Sequence, residues 1–392
     1  MEKGNIIHTA QELIRIPSEN PPGNEEACAE YVERFFSDAG IKTVKKYVED
    51  KRPNILAKLR GYSNKPLVIL AHMDTVPAGE NWGVDPFAAE IRGKKLYGRG
   101  AADMKGGLSI AMHLISEISK MKLKLKRDLL VCITIDEEGP LMKGIVNLIE
   151  EGAMPKEAFV LALEPTDLKL AIATKGVMWY EVTIMGKPAH AANAWEGVDA
   201  ISGMLSAMHS LGKYVEDLGY NDPVLGKSQI LVGKIVGGEQ VNIVPSLCKA
   251  EVDFRFVPPL DCAGVQELIN RAIKDACSNV KGLDGCVKNL GLERPPFYAR
   301  SHSLLVHLLE DSFLQIMGRQ LEKFGIWGYT DAAIVGVRNN NLNCLIFGPG
   351  NIAQAHSVDE FISVDDLATC YEILLRTMVS LLTREDESDL CK

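Results

Sequence analysis

The chain is short of positive charge, of paired cysteines and of long apolar runs, and each shortage removes a class of protein. Lys and Arg number 43 against 52 Asp and Glu, a formal net charge of −9. Gripping a phosphate backbone needs a basic surface, so nucleic acid is not an expected partner. Nine cysteines run from Cys28 to Cys391 without a C-x-x-C pair among them. That dispersal offers neither a disulfide framework nor a thiolate zinc knuckle, and it suits a reducing compartment. No stretch approaches the roughly 18 uninterrupted apolar residues of a membrane helix. The basic-then-apolar pattern of a secretory signal is missing too, because polar residues break up Ile6-Ile7 and Leu13-Ile14. A cytoplasmic location without a membrane partner is therefore expected. Internal repeats and low-complexity stretches are also lacking.

What is present is an ordinary globular composition, 46% apolar and 24% charged over 392 residues, enough for two domains. The apolar run from Pro66 to Ala71 reads as a buried strand and ends in His72-Met73-Asp74. Residues two apart leave the same face if the strand continues. Gly98-Arg99-Gly100-Ala101-Ala102-Asp103-Met104-Lys105-Gly106-Gly107 follows, where glycines let backbone approach a site and deliver Asp103 to a helix running to about Ile118. Asp128 to Ile135 is a second buried run, ending in Asp136-Glu137-Glu138-Gly139. A third, Ala158 to Leu163, runs into Glu164-Pro165. Near the C-terminus stands Gly348-Pro349-Gly350-Asn351, followed by His356 and Asp359-Glu360.

Singly, each feature has a plain reading: a satisfied histidine, a solvated acidic turn, a surface loop. In open α/β sheets, however, ligands bind outside the carboxyl ends of the strands. Three consecutive carboxylates in a partly dry cleft repel one another unless a cation holds them. One His from each end of the chain with carboxylates from several strand ends can hold divalent ions with open positions, a recurring arrangement for hydrolysing an amide.

Beyond Lys175 the pattern changes. Val177 to Met185 alternates like a half-buried strand, and Gly186 to Asn193 forms a loop. A helix from about Val198 to Leu211, strands at Ile230–Val236 and Cys248–Phe256, and a helix at Val265–Ala276 follow. This suits a small antiparallel α+β unit. The expected organisation is an α/β domain built from residues 1–175 and 291–392, interrupted by an inserted domain at 176–290. A helix capped by Asn24 is expected to run to Gly40, and another from about Val364 to Leu382; the charged tail from Arg384 to Lys392 is expected to fray.

The segments around His72, G-R-G-A-A-D-M-K-G-G, D-E-E-G, A-L-E-P and the His356 loop together resemble the M20 family of dinuclear zinc hydrolases, over nearly the whole chain. The resemblance implies a mixed-sheet, zinc-peptidase-like α/β catalytic domain with an inserted α+β lid and dimerisation domain. It implies a pair of Zn2+ ions per subunit, with Co2+ able to substitute, and a homodimer formed through the insert. Asp103 resembles the bridging carboxylate, His72 and Glu164 the ligands of one metal, and Glu138 and His356 those of the other. Asp74 is similar to the acid that orients His72, and Glu137 to the general base. A cis peptide after Asp103 is implied as well. In the insert, His190 resembles a lid histidine that holds the oxyanion, Asn242 a substrate-binding Asn, and Arg255 an Arg that grips a substrate carboxylate. Arg255 has a second reading, an ion pair with Asp253 or Glu251 within its own sheet. Thr330 is placed as a donor to substrate, although Tyr329 stands where the family commonly has a small residue.

The function implied is hydrolysis of an N-acyl group, acetyl or succinyl, from a small-molecule N-acyl amino acid, as in acetylornithine deacetylase or succinyl-diaminopimelate desuccinylase. A metal-dependent exocarboxypeptidase or dipeptidase needs the same metals and base. A catalytically silent binding module on the same fold is the alternative of another kind.

Overall fold

In the computed structural model, residues 2–384 are described, the side chains at 2, 3, 63 and 64 excepted. The tail beyond Arg384, where fraying was expected, lies outside them. The chain forms two compact units. One comprises Met1–Ile172, Tyr298–Phe324 and Thr330–Lys392, the other Ala173–Phe297 with Gly325–Tyr329. The short return of Gly325–Tyr329 to the second unit has no counterpart in a simple 176–290 insert.

The first unit is built on a mixed sheet. Its spatial order includes Thr43–Glu49, Arg52–Leu59, Arg127–Thr134, Ser63–His72, Phe159–Ala162 and Cys344–Ile346. The last four of these run parallel to one another, so their carboxyl ends share one edge. From Ser63–His72 the chain crosses to Arg127–Thr134 on one side and then to Phe159–Ala162 on the other. That reversal is the switch point at which ligands bind in open α/β sheets.

Alternation explains why these strands read as continuous apolar runs. Leu67, Ile69 and Ala71 join a core shared with the helices Glu2–Ile14, Gly106–Lys120 and Val364–Thr383. Val68 and Leu70 point the other way and are equally buried. Each fully buried aliphatic side chain of this kind is worth about 1.5–3 kcal/mol. The helix Asp331–Arg338 packs against Phe159–Ala162 and Cys344–Ile346.

Two local expectations change. The second helix spans Glu26–Asp38 with Glu25, not Asn24, at its cap position and no side-chain cap hydrogen bond. The Glu25 carboxylate is turned instead to Arg52. Asp103 lies in a turn, Ala101–Lys105, just before the helix Gly106–Lys120, with extended rather than helical backbone angles. The peptide bond following it is cis.

The second unit is a four-stranded antiparallel sheet in the order Gln229–Gly237, Leu247–Phe256, Gly176–Met185, Asp284–Asn289. The helices Ala200–Asp217 and Cys262–Asn279 cover one face and share a core with Tyr180, Val182, Val252 and Phe254. Asp199 starts the first helix by accepting from Ile201 and Ser202 amides at 2.8 and 3.2 Å. The strand Asp284–Asn289 was not anticipated. Among the described residues no helix is long and apolar enough to cross a membrane.

Candidate metal centre

The parallel register aligns the chemistry. His72 pairs with Thr134 and Leu70 with Ala162, so Glu164 comes level with His72, and the Asp136-Glu137-Glu138 run starts just beyond it. The approach of Glu164 depends on missing side chains on either side. A Cβ on Gly107 would stand 2.1 Å from the Leu163 carbonyl oxygen, and one on Gly348 2.4 Å from that of Glu164.

Asp103 is the centre of the set. Its Oδ1 lies 3.2 Å from Nε2 of His72, and its Oδ2 lies 3.7 Å from Nε2 of His356. Glu164 sits 3.7 Å from the first imidazole, and Glu138 3.0 Å from the second. Among the described residues, ligand atoms of His72, Asp103 and Glu138 fall within 4.8 Å of one another. Two histidines 284 positions apart thus share one carboxylate, and each has a further glutamate of its own.

Asp74 organises the centre from behind. His72 Nδ1 lies 2.9 Å from the backbone carbonyl of Asp74, which can only accept, so Nδ1 donates and Nε2 faces the cluster. The Asp74 carboxylate is farther from that nitrogen, at 3.6 Å. It accepts instead from the amides of Glu137 and Glu138, both at 3.2 Å, and from Asn20 at 3.0 Å. Asp136 is drawn away from the cluster, where Arg52 and Asn20 donate to it.

The electrostatics are those of compressed negative charge. Burial lifts the Glu137 carboxyl well above the usual carboxylate range. Burial likewise pushes Glu164 up to about 7, against the pull of His72. Burial also opposes ionisation of Asp103, but the hydrogen bond and charge of His72 outweigh it and the pKa falls. The hydrogen bond to Glu138 raises His356 to about 9. Hard and borderline divalent cations match such a donor set of imidazole nitrogens and carboxylate oxygens.

Sequence reasoning did not single out four residues here. Asn20, Arg52 and Glu360 support the cluster from outside. Asp331, at the start of its helix, accepts from the Thr134 hydroxyl at 2.6 Å, and burial raises its carboxyl to about 7. The residues assigned to a lid lie in the second unit. His190 and Ile243 form a bridge, which brings Asn242 beside the histidine; the Ala191 amide donates to the Asn242 carbonyl at 2.9 Å. Arg255 is engaged by Asp253, with contacts of 2.7 to 3.0 Å, and donates to the Trp327 carbonyl at 3.2 Å. Thr330 belongs to the first unit and is buried.

A mixed α/β sheet whose parallel strands end in this His and carboxylate set has the donors that a metal-dependent hydrolase needs. The comparisons with known proteins say which kind. The model of peptidase family M20/M25/M40 matches residues 68–380, and the chain belongs to that family. A Staphylococcus aureus protein named "Probable succinyl-diaminopimelate desuccinylase" is 28% identical over 388 residues, covering 92% of this chain and 93% of its own. An uncharacterized metallohydrolase of Methanocaldococcus jannaschii is 26% identical, covering 94% and 97%. Among solved structures, a tripeptidase from Staphylococcus aureus superposes with a TM-score of 0.80 at 21% identity, covering 98% of this chain and 99% of that one. An M20 metallo-carboxypeptidase from Sulfolobus solfataricus gives 0.79 at 20%, covering 95% and 99%. At that identity the structures share the fold.

Proposed function

We propose that the protein is a zinc-dependent amidohydrolase that removes an N-acyl group, acetyl or succinyl, from an amino acid in the cytoplasm. The observation that carries the metal reading is the placement of Asp103, one oxygen toward His72, which Glu164 also faces, the other toward His356, which Glu138 contacts. His72, Glu164 and one Asp103 oxygen would hold one ion, and His356, Glu138 and the other oxygen a second. Ions held there supply Lewis acidity to an amide carbonyl and acidify water.

Glu137 takes the proton of the attacking water at its carboxylate and returns it to the leaving amine nitrogen. Asp74 aims Glu137 by bonding its backbone amide, and fixes the imidazole of His72 through its own carbonyl. In the second unit, His190 Nδ1 accepts from the Ala192 amide at 3.0 Å, which leaves Nε2 as the N–H bearing nitrogen. That donor suits a developing oxyanion. Replacing His190 by Ala is therefore expected to lower kcat more than it raises KM; an effect on KM alone would count against the role.

On the family resemblance, Arg255 and Asn242 of the second unit are assigned to recognition of a substrate carboxylate, and Thr330 of the first to donation to substrate. The pairing of Arg255 with Asp253 is the competing use of that guanidinium. The edge strand Gln229–Gly237 exposes Leu231, Ile235 and Val236, which supports a homodimer through the insert. The acyl choice is supported by the full-length relatives named desuccinylase.

The test is amine release from N-succinyl and N-acetyl amino acids, set beside di- and tripeptides, with zinc-loaded protein. Release from one acyl amino acid, lost on chelation and restored by zinc, is the expected result. A preference for peptides would replace this reading with an exopeptidase, and silence across the panel with metal bound would favour a binding role.

A further inference from the structure

Glu360 is buried, with 1% of its surface exposed, and its carboxylate gathers donors from the turn that carries Asp103. Oε2 accepts from Arg99 Nη1 at 2.7 Å and from the Gly100 amide at 3.0 Å. Oε1 accepts from the amides of Ala102 at 2.8 Å and Asp103 at 3.1 Å. A carboxylate offers about four lone-pair directions. All are taken, so Glu360 has no capacity left to ligate a cation itself.

The placement follows from strand pairing. Phe361 pairs with Tyr97 in a small antiparallel sheet, and the Gly98 amide donates to the Glu360 carbonyl at 2.9 Å. The register therefore sets the Glu360 side chain beside Gly100 to Asp103. Four residues before it in the chain is His356, the imidazole that faces the second oxygen of Asp103. One side chain thus ties the loop that brings His356 to the turn that brings Asp103.

We infer that Glu360 is a positioning residue: it locks the Asp103 turn to the His356 loop, so that the Asp103 carboxylate presents one oxygen to each histidine. Charge neutralisation alone would need only Arg99. The bonds to Ala102 and Asp103 amides add orientation, and partners of this kind around a ligating side chain are typically worth about 10–100-fold in metal affinity. The inference rests on the metal reading above.

The test is cobalt binding, read by affinity and by the visible absorption spectrum of the bound ion, together with the unfolding midpoint of the metal-free chain. Glu360→Asp keeps the charge opposite Arg99 but is one methylene short of spanning all four donors. Arg99→Met with Glu360→Ala removes both buried charges together, which spares the fold an unpaired ion. Both variants are expected to stay folded by circular dichroism, to bind cobalt at least about tenfold more weakly and to give an altered spectrum. A folded variant with the parent's affinity and spectrum would overturn the inference, whatever its unfolding midpoint, because Glu360 would then serve the fold alone. A parent chain that takes up no cobalt would overturn the metal reading, and the inference with it.

Discussion

Replacing Glu137 by Ala is expected to lower kcat by about a thousandfold, within the range for loss of a general base, while the metal content of the protein stays unchanged. The expectation turns on how two adjacent glutamates differ. Glu138 contacts Nε2 of His356 at 3.0 Å and shares that imidazole with Asp103. It is committed to the cluster, and its loss should strip metal. Glu137 lies 3.8 Å from His72 Nε2, an imidazole that already faces Asp103 at 3.2 Å and Glu164 at 3.7 Å. Burial keeps the Glu137 carboxyl well above the usual carboxylate range. Its carboxylate is therefore held beside the cluster without being consumed by it, as a proton carrier must be. Metal analysis of the purified variant and steady-state kinetics on the best acyl substrate decide the matter. Activity within tenfold of the parent, or a loss of metal equal to that of Glu138→Ala, would sink the assignment.

The parts of this centre that could be read from the chain were those with a local signal. A strand buried on both faces writes itself as an unbroken apolar run, and the polar residue that ends it is conspicuous. His72, Glu137-Glu138 and Glu164 were visible for that reason, and the structure brings them together. The glycines around Asp103 signalled close backbone approach in the same way. What could not be read was made by pairing across great sequence distance. Glu360 is 257 positions from Asp103, and Arg52 is 84 from Asp136. In the chain, Lys51-Arg52-Pro53 looks like an ordinary charged turn. Asp136 looks equivalent to the two glutamates after it until Arg52 and Asn20 are seen to pull it aside. The strand Asp284–Asn289 escaped notice because Gly285 interrupts its alternation and every second residue is exposed. Arg255 carries two readings in the sequence, and its contact with Asp253 at 2.7 Å leaves the substrate role to be tested.

Loss of Arg52 is expected to be the most destabilising single change around the centre. Its guanidinium bonds Glu25 with two nitrogens, at 2.8 and 2.5 Å, and reaches Glu49 at 2.9 Å and Asp136 at 3.3 Å. Glu25 is fully buried and Asp136 nearly so. Arg52→Met would leave two carboxylates in the interior without a counterion, a cost of about 3–5 kcal/mol for a broken buried pair. Lys should rescue little, because a point charge cannot reproduce the planar fork that meets both Glu25 oxygens. The space around the fork is tight too: a Cβ on Gly23 would fall 2.3 Å from its central carbon. Removing both charges with Arg52→Met and Glu25→Leu should recover much of the loss, since buried ion pairs are often no more stabilising than apolar replacements. Denaturant unfolding of the three variants measures this, and a loss below about 1 kcal/mol for Arg52→Met would contradict the assignment of a buried network. The consequence for function follows the bonds. Arg52 and Asn20 hold Asp136, Asn20 also holds Asp74, and Asp74 holds the amides of Glu137 and Glu138. Arg52→Met protein that remains folded should therefore lose kcat as well as stability, because the network that resists unfolding is the one that aims the base.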